Sequence, residues 1–247
     1  MLSGQIAIVT GATRPRGIGR ATVRKLASLG AEVVAVGRTP TDESSVCDVT
    51  DAVQVERLVD GVLGKFGRLD IVVNNAGASD SEDLRPLTDL DDAVWERGMA
   101  VNVRGAYLMT KYAMRPMIAQ GAGSIVNVAS LAGRQGMANY GGYCAAKFGV
   151  IGLTQQAAQE GGRHNVRVNC ICPGATDTDM LQGTLEQSAA RKGVGIETAR
   201  ESVAKGVALR RIGSPDELAA AIAFFAGPEA SFITGQTLNV CGGQRMD

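Results

Sequence analysis

Short apolar runs alternate along the chain with longer amphipathic stretches. Each run is short enough to be a buried strand, and between several of them apolar residues recur with the period of a helix. This alternation predicts a parallel sheet with helices on both faces and right-handed crossovers. The predicted strands are 6–10, 32–36, 45–47, 71–74, 123–128, 166–171 and 237–240, and the predicted helices include 17–29, 52–65, 95–119, 142–161 and 215–226.

No internal repeat, low-complexity tract or linker interrupts the alternation, so residues 1–247 are predicted to form one doubly wound α/β domain. The alternation of strands and helices changes at 180–211, where residues 182–205 are polar, helix-prone and interrupted by glycine. Long insertions in compact domains are commonly lids or binding loops, so we expect a helical substrate lid here. The alternative is a surface pair of helices without a role in binding.

The composition is that of an ordinary globular protein, with 25 Lys plus Arg, 25 Asp plus Glu and a formal net charge of zero among 247 residues. A nucleic-acid-binding domain would concentrate positive charge, so nucleic acid is not an expected partner. No apolar run approaches the roughly 18 residues of a membrane-spanning helix. The chain starts without a basic leader, so we expect no membrane contact and a cytoplasmic location.

Cysteine and histidine do not form a recognisable framework in this sequence. Five cysteines at irregular positions are not the pattern of a secreted disulfide protein, so we interpret them as buried structural thiols in a reducing compartment. Cys170 and Cys172 lie two residues apart, but His164 is the only histidine. A Cys/His metal site would have too few ligands, and no metal is predicted.

A glycine-rich turn connects the first predicted strand to the first helix. Its glycines permit a tight turn, which lets backbone N–H groups and the helix N-terminus approach a pyrophosphate. The turn therefore predicts a dinucleotide site, although a plain strand-to-helix connection has a similar composition. The turn residues expected to contact the cofactor are Gly11, Thr13, Arg14, Arg16, Gly17, Ile18 and Gly19.

The end of the second predicted strand bears on the choice of cofactor. An acidic residue there would bind the ribose 2′-hydroxyl of NAD(H), but this chain has Gly37 and Arg38. An arginine can pair with a 2′-phosphate, so NADP(H) is favoured over NAD(H), with Arg14 or Arg16 as a second cation. The alternative is that Arg38 is a solvated surface residue.

Tyr143 and Lys147 are four residues apart in a predicted helix, which places both side chains on one face. A free phenol has a pKa near 10, and a cation about 4 Å away at an effective dielectric near 20 could lower that pKa by at most about 3 units. Tyr143 could then exchange a proton near neutral pH. Two further polar residues, Asn102 and Ser130, precede this pair.

The order of these residues resembles that of the short-chain dehydrogenase/reductase family, and in particular its beta-ketoacyl carrier protein reductase type. The resemblance extends over essentially the whole chain, and its most specific part is the set Asn102, Ser130, Tyr143 and Lys147. Ser130 stands thirteen residues before Tyr143, as the family pattern requires. The resemblance implies a Rossmann fold and NAD(P)-dependent oxidoreduction of a carbonyl or secondary alcohol.

The resemblance also implies a role for each of these polar residues. Tyr143 would be the acid/base that exchanges a proton with the substrate oxygen, and Ser130 would hydrogen-bond to that oxygen. Lys147 would hold the nicotinamide ribose and lower the pKa of Tyr143. Asn102 would keep a water molecule in a proton relay that reaches Lys147.

Further cofactor contacts are implied by the resemblance alone. Asp48 and Val49 match the stretch that contacts adenine, and Asn75, Ala76 and Gly77 match a strand end beside the cofactor. The residues implied at the nicotinamide carboxamide are Pro173, Gly174, Thr176 and Thr178.

Three features depart from the family pattern. Five residues separate Gly11 from Gly17, where the family usually has three, so the phosphate contacts of this turn are not determined by the resemblance. The segment 39–46 is too short for a full helix between the second and third strands, which predicts an open site on the 2′-phosphate side. Cys241 stands where many relatives carry an acidic residue, and we assign it no function.

Other functions remain alternatives. The longer glycine turn is similar to that of enoyl carrier protein reductases, in which Tyr and Lys lie seven apart, as Tyr140 and Lys147 do. Ser130 and Asn102 favour carbonyl chemistry over enoyl-thioester reduction. A hydrolase is not expected, because the chain has no Gly-x-Ser-x-Gly elbow. A non-catalytic nucleotide-binding scaffold would not need Tyr143, Lys147 and Ser130 together.

The resemblance also indicates a substrate site that mixes apolar and amide side chains without a cationic cluster. We therefore expect a small ketone, diketone, hydroxy compound or cyclic alcohol as the substrate. The residues expected to line this site are Leu131, Gln135, Asn139, Met180 and Leu181.

Two predicted helices carry more small and apolar residues than one side of a sheet can cover. Relatives pair these helices across a two-fold axis, so we expect a homotetramer, with a dimer as the fallback. The residues concerned are Ala106, Met109, Ala113, Ala145, Phe148, Ile151 and Ala157.

Overall fold

A seven-stranded parallel sheet forms the centre of the protein. In the computed structural model, which describes residues 2–41, 44–79 and 84–246, the strands are β1 (Ile6–Thr10), β2 (Glu32–Gly37), β3 (Ser45–Val46), β4 (Ile71–Asn74), β5 (Gly123–Val128), β6 (Val166–Pro173) and β7 (Thr237–Val240). Their order across the sheet is β3-β2-β1-β4-β5-β6-β7, and neighbouring strands are parallel. All the predicted strands are present.

Helices cover both faces of this sheet. They are α1 (Ile18–Ser28), α2 (Ala52–Phe66), α3 (Asp92–Met99), α4 (Gly105–Gln120), α5 (Gly141–Gly161), α6 (Asp179–Lys192), α7 (Ile196–Lys205) and α8 (Pro215–Ala226). One buried cluster contains Val59, Met109 and Ala157 from α2, α4 and α5. A second cluster contains Leu26 and Ile222 from α1 and α8. The doubly wound, Rossmann-like fold is therefore confirmed.

Local sequence sets several of the helix boundaries. Asp51 caps α2 by accepting hydrogen bonds from the N–H groups of Val53 and Gln54, and α2 ends at Gly67, whose φ of +73° favours glycine. Ser214 and Glu217 form a reciprocal capping box at the start of α8. Such caps satisfy backbone groups that a helix end would otherwise leave unpaired.

The predicted helix 95–119 differs from the structure. The helical segment begins earlier, because Asp91 caps α3, and a π-helical turn at Ala100–Arg104 separates α3 from α4. Asn102 lies in this turn, and its amide nitrogen donates to the carbonyl oxygen of Gly98. π-helical turns are frequent at functional sites, because they change the direction of one side chain within a helix.

The predicted lid segment 182–205 forms two helices, α6 and α7. It begins before residue 182, because the hydroxyl of Thr178 caps α6 by accepting a hydrogen bond from the N–H group of Leu181 at 3.3 Å. The two helices share a small buried cluster that includes Leu185, Ala189 and Ala199. The lid therefore has packing of its own, apart from the two clusters that cover the sheet.

Between β2 and β3 the structure describes residues 38–41 and 44, and these form no helix. Residues 42 and 43 of the predicted helix-free segment lie outside the described residues.

All five cysteines are free, but only Cys47, Cys170 and Cys172 are buried. Cys144 and Cys241 are partly exposed, so the prediction that all five thiols are buried is wrong for these two. Among the described helices, none has the length and apolar character needed to cross a membrane.

The structure also contradicts part of the argument for the predicted homotetramer. Met109, Ala113 and Ala157 are buried inside the protomer, because α4 and α5 pack them against the sheet. These residues cannot contact a partner. Phe148 of α5 and Tyr107 of α4 are 47% and 44% exposed, so part of the apolar surface of both helices does face outward.

Candidate active site

Two joined cavities open where the parallel strands end. The glycine-turn cavity, of about 260 Å³, lies beside the turn after β1 and the ends of β2 and β4. The tyrosine cavity, of about 280 Å³, lies beside the start of α5, the end of β6 and α6. Open α/β sheets bind ligands in the crevice at the carboxyl ends of their strands. The residues that line both cavities are Ile18, Asn75, Gly77, Thr178 and Met180.

The turn between β1 and α1 is built from glycine backbone. Gly11 has a φ of +66°, in the left-handed region that favours glycine. Gly17 is the N-cap of α1, and no side chain caps this helix, which leaves its first N–H groups available to an anion. A Cβ atom on Gly19 would lie 2.4 Å from the carbonyl oxygen of Gly11, so Gly19 allows α1 to pack closely on the turn.

Asn75 connects the end of β4 to the glycine turn. Its side-chain amide donates to the carbonyl oxygens of Thr10 and Gly11 at 3.0 and 3.1 Å. In return, the hydroxyl of Thr10 accepts hydrogen bonds from the N–H groups of Asn75 and Ala76 at 3.1 and 3.0 Å. These four hydrogen bonds hold the two strand ends together at the junction of the cavities.

The three candidate cations are in different surroundings. Arg14 and Arg38 line the glycine-turn cavity, and the guanidinium group of neither forms an ion pair or hydrogen bond with any residue that the structure describes. Arg16 does not line the cavity. Its guanidinium lies 3.1 Å from the carboxylate of Asp177, which also lies 2.8 Å from the guanidinium of Arg200 on α7. The hydrogen bond from Arg200 and the charge of Arg16 hold the pKa of Asp177 below its usual value.

Most of the predicted cofactor residues line the cleft. Nineteen residues are predicted to contact the cofactor, and Tyr143 and Lys147 are counted among them. Only Arg16 and Gly19 line neither cavity, Arg16 because it pairs with Asp177 and Gly19 because it packs against the turn. At the adenine end, Asp48 accepts hydrogen bonds from the backbone N–H and the hydroxyl of Thr50. The carboxylate of Asp48 is therefore held by its own loop.

Tyr143 and Lys147 both line the tyrosine cavity from the first turns of α5. Lys147 is 3% exposed, its ammonium lies 5.5 Å from the centre of the Tyr143 ring, and it donates to the carbonyl oxygen of Val128 at 3.0 Å. Burial lowers the pKa of Lys147 to about 8, because the charged form loses its hydration. The predicted proximity of the cation to the phenol ring is present in the structure.

Ser130 lines the same cavity directly after β5. Its hydroxyl accepts a hydrogen bond from the N–H group of Ala132 at 3.1 Å and so caps a short 3₁₀ turn, Leu131–Gly133. A Cβ atom on Gly133 would lie 2.6 Å from the carbonyl oxygen of Lys147. This close contact between the turn and α5 brings Ser130 to the same cavity as Tyr143 and Lys147.

Asn102 lies behind the cleft and is fully buried in its π-helical turn. Its Oδ1 atom accepts a hydrogen bond from the N–H group of Ala78 at 3.2 Å, and its Nδ2 atom donates to the carbonyl oxygen of Ala78 at 2.8 Å. A Cβ atom on Gly77 would lie 3.0 Å from the Oδ1 atom of Asn102 and 3.4 Å from the Nζ atom of Lys147. Both polar groups therefore lie next to Gly77. A proton relay from Asn102 to Lys147 requires the two groups to be this close together.

The predicted substrate residues are only partly brought together. Leu131, Met180 and Leu181 line the tyrosine cavity. Gln135 does not, because its side-chain oxygen accepts a hydrogen bond from Arg245 at 2.6 Å, and Asn139 does not, because it is exposed in a turn with a φ of +64°. Tyr140, considered from the sequence only for enoyl reduction, also lines this cavity. The lining residues that the sequence analysis did not name for any site are Ser79, Val128, Ala129, Met137, Ala175, Thr184, Val203 and Gln244.

Some of these residues had a detectable signal. Met137 and Tyr140 belong to the same loop as Gln135 and Asn139, and both are only partly exposed, so a preference for the less polar members of this loop would have found them. Gln244 had no such signal, because the turn after β7 brings it to the cavity. No group of three or more His, Cys, Asp or Glu side chains suited to a metal ion occurs among the described residues.

Comparison with known proteins relates this cleft to a large group of oxidoreductases. Residues 11–245 match the profile of the family described as Enoyl-(Acyl carrier protein) reductase. The chain is 38% identical to Cis-4-hydroxycyclohexanecarboxylate dehydrogenase of Sinomonas cyclohexanicum, over 97% of this chain and 96% of the relative. It is 34% identical to 3-oxoacyl-(acyl-carrier-protein) reductase FabG of Vibrio cholerae, over 99% of each chain.

Solved structures agree with this relationship. An actinorhodin polyketide ketoreductase variant with NADPH superposes with a TM-score of 0.91 at 32% identity, over 99% of both chains. NAD⁺-bound xylitol dehydrogenase superposes with a TM-score of 0.90 at 32% identity, over 98% of this chain and 99% of the other. Similar folds thus bind NADPH in one case and NAD⁺ in the other, so the fold does not fix the cofactor of this chain.

Proposed function

Because the chain belongs to the short-chain dehydrogenase/reductase family, we propose that it is an NADP(H)-dependent oxidoreductase that interconverts a carbonyl group and a secondary alcohol on a small substrate. One observation carries the proposal: the buried ammonium of Lys147 lies beside the ring of Tyr143, in a cavity that Ser130 also lines. A buried cation beside a phenol favours the phenolate, and a neighbouring hydroxyl can hydrogen-bond to the same substrate oxygen.

Each residue has a separate task in this proposal. Tyr143 gives a proton to the substrate oxygen during reduction and takes it back during oxidation. Ser130 donates a hydrogen bond to that oxygen, and Lys147 stabilises the phenolate of Tyr143 by its charge. Asn102 and Lys147 flank Gly77, where a water molecule would connect them to solvent.

The residues of the cleft fit a phosphorylated dinucleotide. The uncapped N-terminus of α1 and the glycine turn suit a pyrophosphate. Arg14 in this turn and Arg38 after β2 supply guanidinium groups that have no partner among the described residues. We propose that Arg38 and Arg14, rather than Arg16, bind the 2′-phosphate, because Arg16 is already paired with Asp177. Pro173, Gly174, Thr176 and Thr178 would hold the nicotinamide, which supplies the hydride when bound.

The experiment that tests the function is a panel of small ketones, diketones and cyclic alcohols, assayed with NADPH and with NADH. We expect NADPH-dependent reduction of at least one ketone, and Tyr143→Phe should abolish it. A chain that turns over no member of the panel, yet binds NADPH, would support the non-catalytic scaffold instead.

Enoyl-thioester reduction is the second candidate, because Tyr140 lines the same cavity and its ring centre lies 6.3 Å from that of Tyr143. Burial raises the pKa of Tyr140, which keeps its phenol protonated and able to donate a hydrogen bond. An enoyl thioester added to the panel distinguishes the two reactions. Reduction of the enoyl thioester that depends on Tyr140 rather than Tyr143 would favour this second candidate.

We further propose that the protein assembles as a homotetramer, with a dimer as the fallback. The support is two exposed apolar surfaces, one with Tyr107 and Phe148 on α4 and α5, the other with Phe224 and Leu238 on α8 and β7. Two different self-complementary surfaces give a closed tetramer with dihedral symmetry. Light scattering at micromolar concentration tests this, and a monomeric mass would contradict both assemblies.

The five free cysteines support a reducing compartment such as the cytoplasm as the site of action. Labelling of accessible thiols before and after reduction, in freshly lysed cells, tests this proposal. Equal labelling is the expected result, and an increase after reduction would contradict it.

A further inference from the structure

The chain after β7 folds back to reach the tyrosine cavity. Gly242 and Gly243 have φ values of +60° and +80°, which turn the backbone through conformations that favour glycine. The carbonyl oxygen of Gly242 accepts a hydrogen bond from the N–H group of Leu209 at 3.0 Å, which fixes the turn. As a result Gln244, which lies far in sequence from Tyr143, lines the same cavity.

The side-chain amide of Gln244 has a defined orientation. Its Oε1 atom accepts a hydrogen bond from the N–H group of Ala175 at 3.0 Å. A Cβ atom on Gly174 would lie 2.8 Å from this oxygen, so the amide is held close against the backbone at the end of β6. The Nε2 atom donates to no residue that the structure describes, which leaves two N–H groups on a residue at the cavity wall.

Among the residues that line this cavity with Gln244, several are apolar, and three threonines donate their hydroxyl groups to backbone carbonyl oxygens. Met137, Met180 and Leu181 supply apolar surface, and the hydroxyl of Thr184 is used to donate to the carbonyl oxygen of Met180 at 3.1 Å. Lys147 is the only charged residue among the described lining residues, and it lies at the tyrosine end. The cavity therefore suits an uncharged molecule, and the Gln244 amide is a neutral donor on its wall.

From these contacts we propose that Gln244 is a specificity-determining residue, which donates a hydrogen bond to a second oxygen of the substrate, away from the reacting carbonyl. The substrate class is then a small uncharged ketone with a second acceptor oxygen, such as a diketone or hydroxyketone. This inference rests on the proposed carbonyl reduction. A ligand that leaves the Gln244 donor unpaired loses the water that had solvated it, so it binds less well.

The test compares two substrates of similar size. Cyclohexane-1,4-dione carries a second acceptor, whereas 4-methylcyclohexanone carries a methyl group at the same position. In the full-length enzyme with NADPH, we expect kcat/KM to be about tenfold higher for the dione. Gln244→Met, which keeps the length of the side chain but removes the amide, should reduce this ratio towards one. Gln244→Glu should reduce it as well, because a carboxylate replaces the donor and repels the acceptor.

Two further variants serve as comparisons. Gln156→Met removes an exposed amide of α5, one that donates to Glu160 and does not line the cavity, and it should leave the ratio unchanged. Tyr140→Phe removes another neutral donor on the cavity wall. If the ratio collapses in Tyr140→Phe but persists in Gln244→Met, the donor is Tyr140 and the inference is wrong.

Binding separates this inference from the proposed function. Calorimetric titration of the NADP⁺-loaded enzyme with the same two compounds gives a ratio of dissociation constants that does not depend on turnover. A Gln244-dependent ratio without turnover would support the inference while contradicting the proposed function. Turnover of both compounds with equal kcat/KM and equal affinity would overturn the inference alone.

Discussion

The two cavities of the cleft are built in different ways. The glycine-turn cavity is lined by residues that follow β1, β2 and β4, four of them glycines, and by Arg14 and Arg38, whose guanidinium groups have no partner among the described residues. The tyrosine cavity is lined by residues of α5, α6 and α7, of the loops after β5 and β6, and of the turn after β7. Its only charged lining residue, among those described, is the buried Lys147.

This difference indicates two kinds of recognition. Backbone N–H groups and unpaired cations suit an anionic ligand, whose binding depends on charge. A largely apolar cavity with a few neutral donors recognises shape and the position of single hydrogen bonds. Substitutions in the glycine-turn cavity should therefore change cofactor affinity, whereas substitutions in the tyrosine cavity should change turnover or substrate choice.

The largest effect is expected from the two tyrosines of the tyrosine cavity. Tyr143→Phe removes the transferable proton, so kcat for ketone reduction should fall by at least about 100-fold. The dissociation constant of NADPH, measured by fluorescence titration, should change little. Tyr140→Phe is the matched control, and its kcat should fall by less than about tenfold. The reverse result would contradict the assignment of Tyr143 as the acid/base and favour enoyl reduction.

The next largest effect is expected on cofactor preference, from Arg38 in the glycine-turn cavity. Arg38→Ala should lower kcat/KM for NADPH by about tenfold or more and leave kcat/KM for NADH almost unchanged, because only the phosphorylated cofactor loses a charge-assisted contact. Arg14→Ala should act in the same direction more weakly. Initial rates with both cofactors measure this preference. An unmutated enzyme that uses NADPH and NADH with equal efficiency would contradict the proposed role of Arg38.

The same comparison explains how much of the molecule could be predicted from the sequence. Parallel strands buried on both faces are continuous apolar runs, so β1 and β4 were predicted with the bounds that the structure has. The glycine-turn cavity was also largely predicted, because its wall residues follow directly after strands. Arg16 and Gly19 were the exceptions: Gly19 packs against the turn, and Arg16 pairs with Asp177, which is 161 residues away in sequence.

The tyrosine cavity was predicted less completely, because packing decides which side chains reach it. Gln135 and Gln244 are both amides, and the family resemblance favoured Gln135. In the structure Arg245 holds Gln135 away from the cavity, while the turn at Gly242 and Gly243 brings Gln244 to it. Contacts of this kind depend on where the chain terminus packs, which no local pattern encodes.

A smaller effect is expected on stability, from Lys147. Its pKa in the folded protein is about 8, below the ordinary value of 10.5, so burial of the charge destabilises the folded state at neutral pH. As the pH rises from about 8 to 10.5 the folded protein binds fewer protons than the unfolded chain, and the free energy of unfolding should rise.

Lys147→Met should abolish catalysis, yet increase the free energy of unfolding at pH 7 by on the order of 2 kcal/mol. It should also remove the rise in stability between pH 8 and 10.5. Urea denaturation from pH 7 to 10 measures both effects. If the wild-type protein shows no rise over this range, or if Lys147→Met is less stable at pH 7, then burial of the Lys147 charge does not cost stability.

The smallest effect tests the connection between the two cavities. Asp177 pairs with Arg16 of the glycine turn and with Arg200 of α7, so it links the wall of one cavity to the lid of the other. These ion pairs are partly exposed and contribute little to stability. Asp177→Asn should therefore raise the KM of the cofactor by less than about fivefold, and by the same factor for NADPH and NADH. Arg38→Ala, in contrast, should affect NADPH and not NADH.

Hydrogen exchange shows whether these pairs position the lid. Exchange in 182–205 should be fast in the free protein, slower with NADPH, and slowest with NADPH and a substrate analogue, because both ligands are expected to contact the segment before α6. Asp177→Asn should make this exchange faster in all three states. Arg24→Gln is the control, because it removes another surface ion pair, with the more exposed Asp216, that lies outside both cavities. If 182–205 is fully protected without ligand, and Asp177→Asn exchanges as slowly as Arg24→Gln, the lid is a rigid part of the fold. Substrate choice would then depend on fixed residues of the cavity wall, such as Met180 and Gln244.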